Sequence, residues 1–147
     1  MKSLIFILLS LFVIQSVAGY GYNLTVSLYP DGAKPTTGKM VVYLNGPNFE
    51  HKVELQPHMV PIYNGLSYSF FVDNHISVDT ITYVGFKWRR KILGNSGPKT
   101  LPVMKVTVDP MYIMDSNQRK YWTRSYCGSP GYTVVKADTK VSFANRC

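Results

Sequence analysis

Polar and apolar residues alternate along most of this chain with a period of two. Tyr22, Leu24, Val26 and Leu28 share one face of a segment whose other face carries Asn23, Thr25, Ser27 and Tyr29. "LSYSFFVD" repeats the pattern, with Leu66, Tyr68, Phe70 and Val72 on one side. "KMVVYLN" (39–45), "HKVELQ" (51–56), "TITYVGFKW" (80–88), "VMKVTVD" (103–109), "KYWTRSY" (120–126) and "KVSFA" (140–144) are β-branched and aromatic runs of strand length. Successive side chains of a strand point to opposite faces, so such runs predict half-buried strands. Turn-forming stretches separate them: "YPDGAKP", "NGPN", "QPHMVP", "YNG", "GNSGP" and "DP". No segment shows a helical period beyond a turn or two, and there is no internal repeat. The pattern predicts an all-β, eight-stranded antiparallel β-sandwich.

The first residues depart from this alternation. "MKSLIFILLSLFVIQSVAG" has one cation, Lys2, then an apolar run from Leu4 to Ile14, then small residues. Ser16 and Ala18 occupy the positions of a cleavage site. That is the pattern of a secretory signal peptide over residues 1–18, too short and wrongly flanked for a membrane span. A secreted, extracellular domain over residues 20–147 is the expectation, large enough for one core.

Without Lys2 the chain carries 15 basic and 8 acidic side chains, a net charge of +7. For a secreted protein the fitting counter-charges are anionic lipid headgroups, sulfated glycans or an acidic partner, and not nucleic acid. Cys127 and Cys147 are the two cysteines. In an oxidising compartment an even pair predicts a disulfide. "NLT" makes Asn23 a glycosylation acceptor on the polar face of its strand.

"GKMVVYLNGPN", "LSYSFFVDNHISVDTITYVGFKW" and "KVTVDP … YWTRSYC … VSFANRC" together resemble the C-terminal PLAT domain of secreted animal lipases, the pancreatic and lipoprotein lipase family. The likeness runs from about Tyr22 to Cys147 and is one of pattern: Gly38 and Gly46 around a strand, a long strand closing on Lys87 and Trp88, and a terminal cysteine pair. Lipases usually carry Gly where this chain has Asp79. The resemblance implies an eight-stranded sandwich that contacts lipid surfaces, lipoproteins or protein cofactors and carries no catalytic residues.

It also implies a role for the stretch after Trp88. In that family the corresponding loop meets the lipid interface, with aliphatic residues or tryptophans. Here it contributes Arg89, Arg90, Lys91, Ile92, Leu93 and Leu101, the expected lipid-contact residues. Lys99, Arg119, Lys120 and Arg124 are expected to extend a basic patch. Two or three aliphatic side chains supply about 1.5–3 kcal/mol each on burial, and each cation near an anionic surface about 1 kcal/mol.

Chemistry of other kinds finds little support. A serine hydrolase needs a G-x-S-x-G turn between strand and helix. Pro98 occupies the last glycine position after Ser96, and the first glycine is missing before Ser129. An α/β-hydrolase domain also needs far more chain and helices between its strands. No enzyme is expected. His51, His58 and His75 lack ligand spacing, and Asp73, Asp79 and Asp109 are few for calcium, which takes six or more oxygens. No metal or cofactor is expected. The favoured reading is a non-catalytic module for a lipid surface, a lipoprotein or a lipase-associated protein. The alternatives are a lipase-derived protein contributing to triglyceride lipase activity and a glycosaminoglycan-binding secreted factor.

Overall fold

The computed structural model describes residues 20–55, 60–74, 76–90, 99–113 and 123–147. Ten strands are formed there: β1 (Tyr20–Leu28), β2 (Thr36–Gly46), β3 (Phe49–Glu54), β4 (Val60–Ile62), β5 (Ser67–Asn74), β6 (Tyr83–Arg90), β7 (Thr100–Ile113), β8 (Arg124–Cys127), β9 (Thr133–Lys136) and β10 (Val141–Phe143). A single 3₁₀ turn, Val78–Thr80, is the one helical element among the described residues. The strands form two antiparallel sheets packed as a sandwich. The first sheet has the order β5-β1-β7-β8, with β9 also paired to β7. The second has the order β10-β6-β2-β3, with β4 also paired to β2.

The alternation decides which residues are buried. Tyr22, Leu24, Val26 and Leu28 of β1 face Met40, Val42 and Leu44 of β2 across the core, joined by Val84, Phe86 and Trp88 of β6 and Val106 and Val108 of β7. Two strands exceed the expected eight. β4 begins at the end of "QPHMVP", where the prolines signal a turn; Pro61 is tolerated because β4 is a three-residue edge strand. β9 is only four residues long, too short for a period to show. β7 runs through Pro102 and Pro110, which the sequence pattern takes as boundaries. Pro110 opposes Tyr22 where the β1–β7 register shifts, a place where a missing N–H is tolerated.

Two buried aromatic side chains tie the sheets together. Trp88 Nε1 donates to the Val135 carbonyl at 2.8 Å, joining the second sheet to β9 of the first. Tyr126 Oη donates to the Ile81 carbonyl at 3.0 Å, joining β8 to the segment before β6. Each ring fills core while its polar atom finds a partner. Burial pushes the Tyr126 phenol above its usual range, against the opposing pull of the Arg124 and Arg146 cations.

Gly46 has a steric reason. A Cβ there would lie 2.7 Å from the Thr80 carbonyl oxygen and inside the ring of Phe49, its cross-strand neighbour. The disulfide joins Cys127 to Cys147. The chain end returns along β8: Cys127 N donates to the Asn145 carbonyl and Cys147 N to the Ser125 carbonyl.

Candidate functional site

One end of the sandwich gathers several exposed aromatic and basic side chains. β1 and β6 finish there, and β2, β5 and β7 begin there, because Leu28 opposes Val103, Ser27 opposes Ser67, and Gly38 opposes Arg90. At this end the turn after β9 is held to both sheets, Ala137 N donating to the Lys99 carbonyl beside β7 and Asp138 N to the Trp88 carbonyl of β6.

The sequence-predicted site residues divide. Arg89 lies on β6, exposed, with Nε 4.0 Å from the Asp138 carboxylate. Arg90 closes β6, half-buried opposite Gly38, and Lys99 is exposed just before β7. These three cations therefore stand at this end of the sandwich. Lys91, Ile92 and Leu93 lie outside the described residues, as do Arg119, Lys120 and Ser96.

Leu101 does not belong to the surface. It is 0 % exposed, opposite Val135 of β9, and takes part in the core. Its place between Lys99 and Pro102 suggested a loop; in fact β7 has already begun at Thr100, and the alternation turns Leu101 inward. Arg124 does not extend the basic patch either. It opposes Val108, eight residues along β7 from Thr100 and so about 26 Å from that end. Its guanidinium donates to Asp79 Oδ1 at 2.8 Å and to the Val78 carbonyl at 3.0 Å. Asp79, where lipases usually carry Gly, is thus used to hold the 3₁₀ turn against β8.

Asn23 lies at the middle of β1 on the outward face, half-buried between Phe71 of β5 and Asp109 of β7. The acids considered for calcium are placed apart. Asp79 pairs with Arg124, Asp109 accepts from Thr123 Oγ1 at 2.7 Å, and Asp73 sits opposite Gly21. Among the described residues no three His, Cys, Asp or Glu side chains converge on a metal-sized site.

A second set of residues at the same end carries no signal in the sequence pattern. Tyr29 and Tyr132 stack with ring centroids 4.6 Å apart. Leu28 N donates to the Leu66 carbonyl, and Leu66 N to that of Tyr63. A Cβ on Gly65 would come within 3.0 Å of Pro30, so the 63–66 turn packs on the start of the β1–β2 connection. Asn64 Nδ2 donates to Asp31 Oδ1 and closes that contact. Tyr29, Tyr63, Leu66 and Tyr132 are 38–51 % exposed, although each is large and apolar. Val134, two residues beyond Tyr132 on β9 and 55 % exposed, extends the cluster. These residues come from three separate connections, each short and individually ordinary, and only their convergence makes a patch.

No family model matches this chain, and no curated protein matches it. Solved structures do. Crystal structures of lipoxygenase (LOX) variants, the Delta413-417:GS I805A and I805W forms, align at 14 % identity with a TM-score of 0.61. A third, the anaerobic crystal structure of delta413-417:GS LOX in complex with arachidonate, aligns equally well. Each alignment covers 84 % of this chain and 16 % of the lipoxygenase chain, so the match spans a small part of those proteins. The N-terminal domain of lipoxygenase is a PLAT β-sandwich, and the fold of this chain is PLAT-like.

Proposed function

We propose that this chain is a secreted, non-catalytic module that docks on lipid surfaces through the end of the sandwich carrying Tyr29, Tyr63, Leu66 and Tyr132. The observation that carries this reading is the exposure of those four side chains at the same end of the sandwich as Arg89 and Lys99. Tyrosine has an apolar ring and a wet hydroxyl, so it suits the headgroup level of a membrane or lipoprotein. Arg89, Arg90 and Lys99, continued by Lys91 in sequence, supply attraction to anionic lipid. Ile92 and Leu93 add aliphatic contact from the connection between β6 and β7. The PLAT-like fold supports the same reading, and the likeness to lipase C-terminal domains extends it to lipoproteins and lipase-associated proteins as partners. The small all-β architecture, which is not an α/β-hydrolase, supports a role without catalysis. The signal-peptide pattern of residues 1–18 and the disulfide support secretion.

Flotation with phosphatidylcholine vesicles, with and without phosphatidylserine, tests this. Wild-type protein is expected to float at low salt. Tyr29→Ser/Leu66→Ser/Tyr132→Ser should lose about tenfold or more in partitioning, since each side chain removed from the interface forfeits on the order of 1 kcal/mol. Ile92→Asp/Leu93→Asp should weaken it further. A wild-type protein that stays in the aqueous phase with both vesicle types sinks the lipid reading.

A further inference from the structure

We infer that the outer face of the second sheet is a binding groove for a linear sulfated glycan. This site adjoins the docking end, sharing Arg89 with it, and does not depend on the lipid reading. Its residues come from three adjacent strands: Lys52 of β3, Lys39 and Tyr43 of β2, and Lys87 and Arg89 of β6, which line one shallow depression with Glu54. The register brings them together, since Lys39 opposes Arg89 and Tyr43 opposes Lys52, while Val41 lies between Glu54 and Lys87. All occupy outward positions of strands whose inward positions are Met40, Val42, Phe86 and Trp88.

The charge on this face is unbalanced. Lys39 Nζ lies 2.7 Å from Glu54 Oε2, and Lys52 Nζ 3.6 Å from Glu54 Oε1. Lys140 Nζ pairs with Glu50 at 2.8 Å and lies 4.2 Å from the centre of the Tyr43 ring. Arg89 reaches Asp138 only at 4.0 Å. Five cations thus face three carboxylates, and among the described residues Lys87 has no carboxylate partner.

Geometry selects the kind of anion. Lys52 and Lys87 stand on strands two spacings apart, about 10 Å. The cations are spread over three strands, so a chain bearing several sulfates engages more of them at once than a single phosphate or sulfate ion does. A bilayer fits poorly: Val41, at the floor, is 7 % exposed, and Tyr83, at the far end of the face, is its large exposed apolar side chain among the described residues. Lysine stems cover the apolar floor while their ammonium groups stay in water, which is the surface a hydrated polyanion meets. Glu54 opposes the ligand, since it occupies two of the cations.

The test is fluorescence titration of the full secreted chain with a heparin octasaccharide at low salt. Lys52→Glu/Lys87→Glu is expected to weaken binding about tenfold or more, as for loss of complementary charge at a contact. Glu54→Gln is expected to tighten it several-fold by releasing Lys39 and Lys52. Lys34→Glu/Lys105→Glu makes the same change of charge elsewhere and should leave affinity within about twofold. Unchanged circular dichroism and unfolding midpoints establish that the variants fold. Equal weakening by both double variants means attraction by bulk charge and overturns the groove. Competition by inorganic sulfate at matched ionic strength means a single-ion site, which also overturns it. So does loss of anionic-vesicle flotation in Lys52→Glu/Lys87→Glu with octasaccharide binding retained.

Discussion

The two sheets share one core and one alternation, yet their outer faces differ in kind. On the first sheet Ser69, Thr25, Thr107 and Ser125 stand in register across β5, β1, β7 and β8. Thr25 Oγ1 and Ser69 Oγ are 2.8 Å apart, and Thr107 Oγ1 and Ser125 Oγ 2.9 Å. One row along, Ser67 donates to Ser27 at 3.0 Å. On the second sheet the equivalent positions are Lys39, Lys52, Glu54, Lys87 and Arg89. Neutral hydroxyls satisfy one another at close range and leave little for a ligand. Lysines and arginines make loose, solvated pairs that an external anion can replace. The edges differ as well. β8 is covered by the returning chain end and held by the disulfide, whereas β3 is an exposed edge guarded by the charged Lys52 and Glu54.

The comparison is most strongly tested at the closed edge. Cys127→Ser/Cys147→Ser is expected to cost about 3 kcal/mol for a loop of this size. Urea unfolding measures it, and faster exchange of the Cys127 and Cys147 amides should accompany it; an unchanged midpoint would mean that the backbone pairing alone closes the edge. Next comes moving charge onto the hydroxyl face. Thr25 and Thr107 are direct neighbours, so Thr25→Lys/Thr107→Lys loses two hydroxyl contacts and sets like charges side by side, about 2 kcal/mol in all. A neutral result would show that the two outer faces are interchangeable.

Thr107→Val should cost about 1 kcal/mol, and Thr107→Val/Ser125→Ala less than the sum of the two single changes, because the second removes a partner already lost. A double-mutant cycle by urea unfolding reads this coupling, and strict additivity would dissolve the row into independent side chains.

The smallest effect belongs to the charged face. The hydrogen bond from Lys39, with Lys52 beside it, holds the Glu54 carboxyl below its ordinary range. A carboxylate with a depressed folded pKa contributes stability above its unfolded value, about 4.3, and loses it as pH falls through the folded value. Glu54→Gln should therefore differ slightly from wild type at pH 7, and the difference should vanish once Glu54 is protonated. Thermal unfolding across that range checks it, and a difference that persists in acid would separate it from titration.

Much of this molecule was legible as sequence. Period-two alternation identifies β1, β2, β5 and β6 and sorts their residues into core and surface, because a strand has only two faces and one must be apolar. Trp88 at the end of its run is such a residue. The errors have physical causes. Pro57 and Pro61 hid β4, since an edge strand tolerates a residue without an N–H. Leu101 looked like a loop residue because Pro102 follows it, yet the carbonyl of Pro102 accepts from Tyr29 N and the strand continues. Arg124 looked like part of a basic patch, but its charge is spent on Asp79 and Val78 at a distant point of the sandwich.

What the sequence by itself determined is the class of fold, the buried face of each long strand and the pairing of Cys127 with Cys147, all of which rest on local period or on there being only two cysteines. What only the tertiary structure decided is the company each surface residue keeps. Lys39, Lys52 and Lys87 are far apart along the chain, as are Tyr29, Leu66 and Tyr132. Antiparallel register brings the first set onto one sheet, and the shared end of the strands brings the second onto one rim. Register is a property of paired strands and of how two sheets stack, and no single strand carries it.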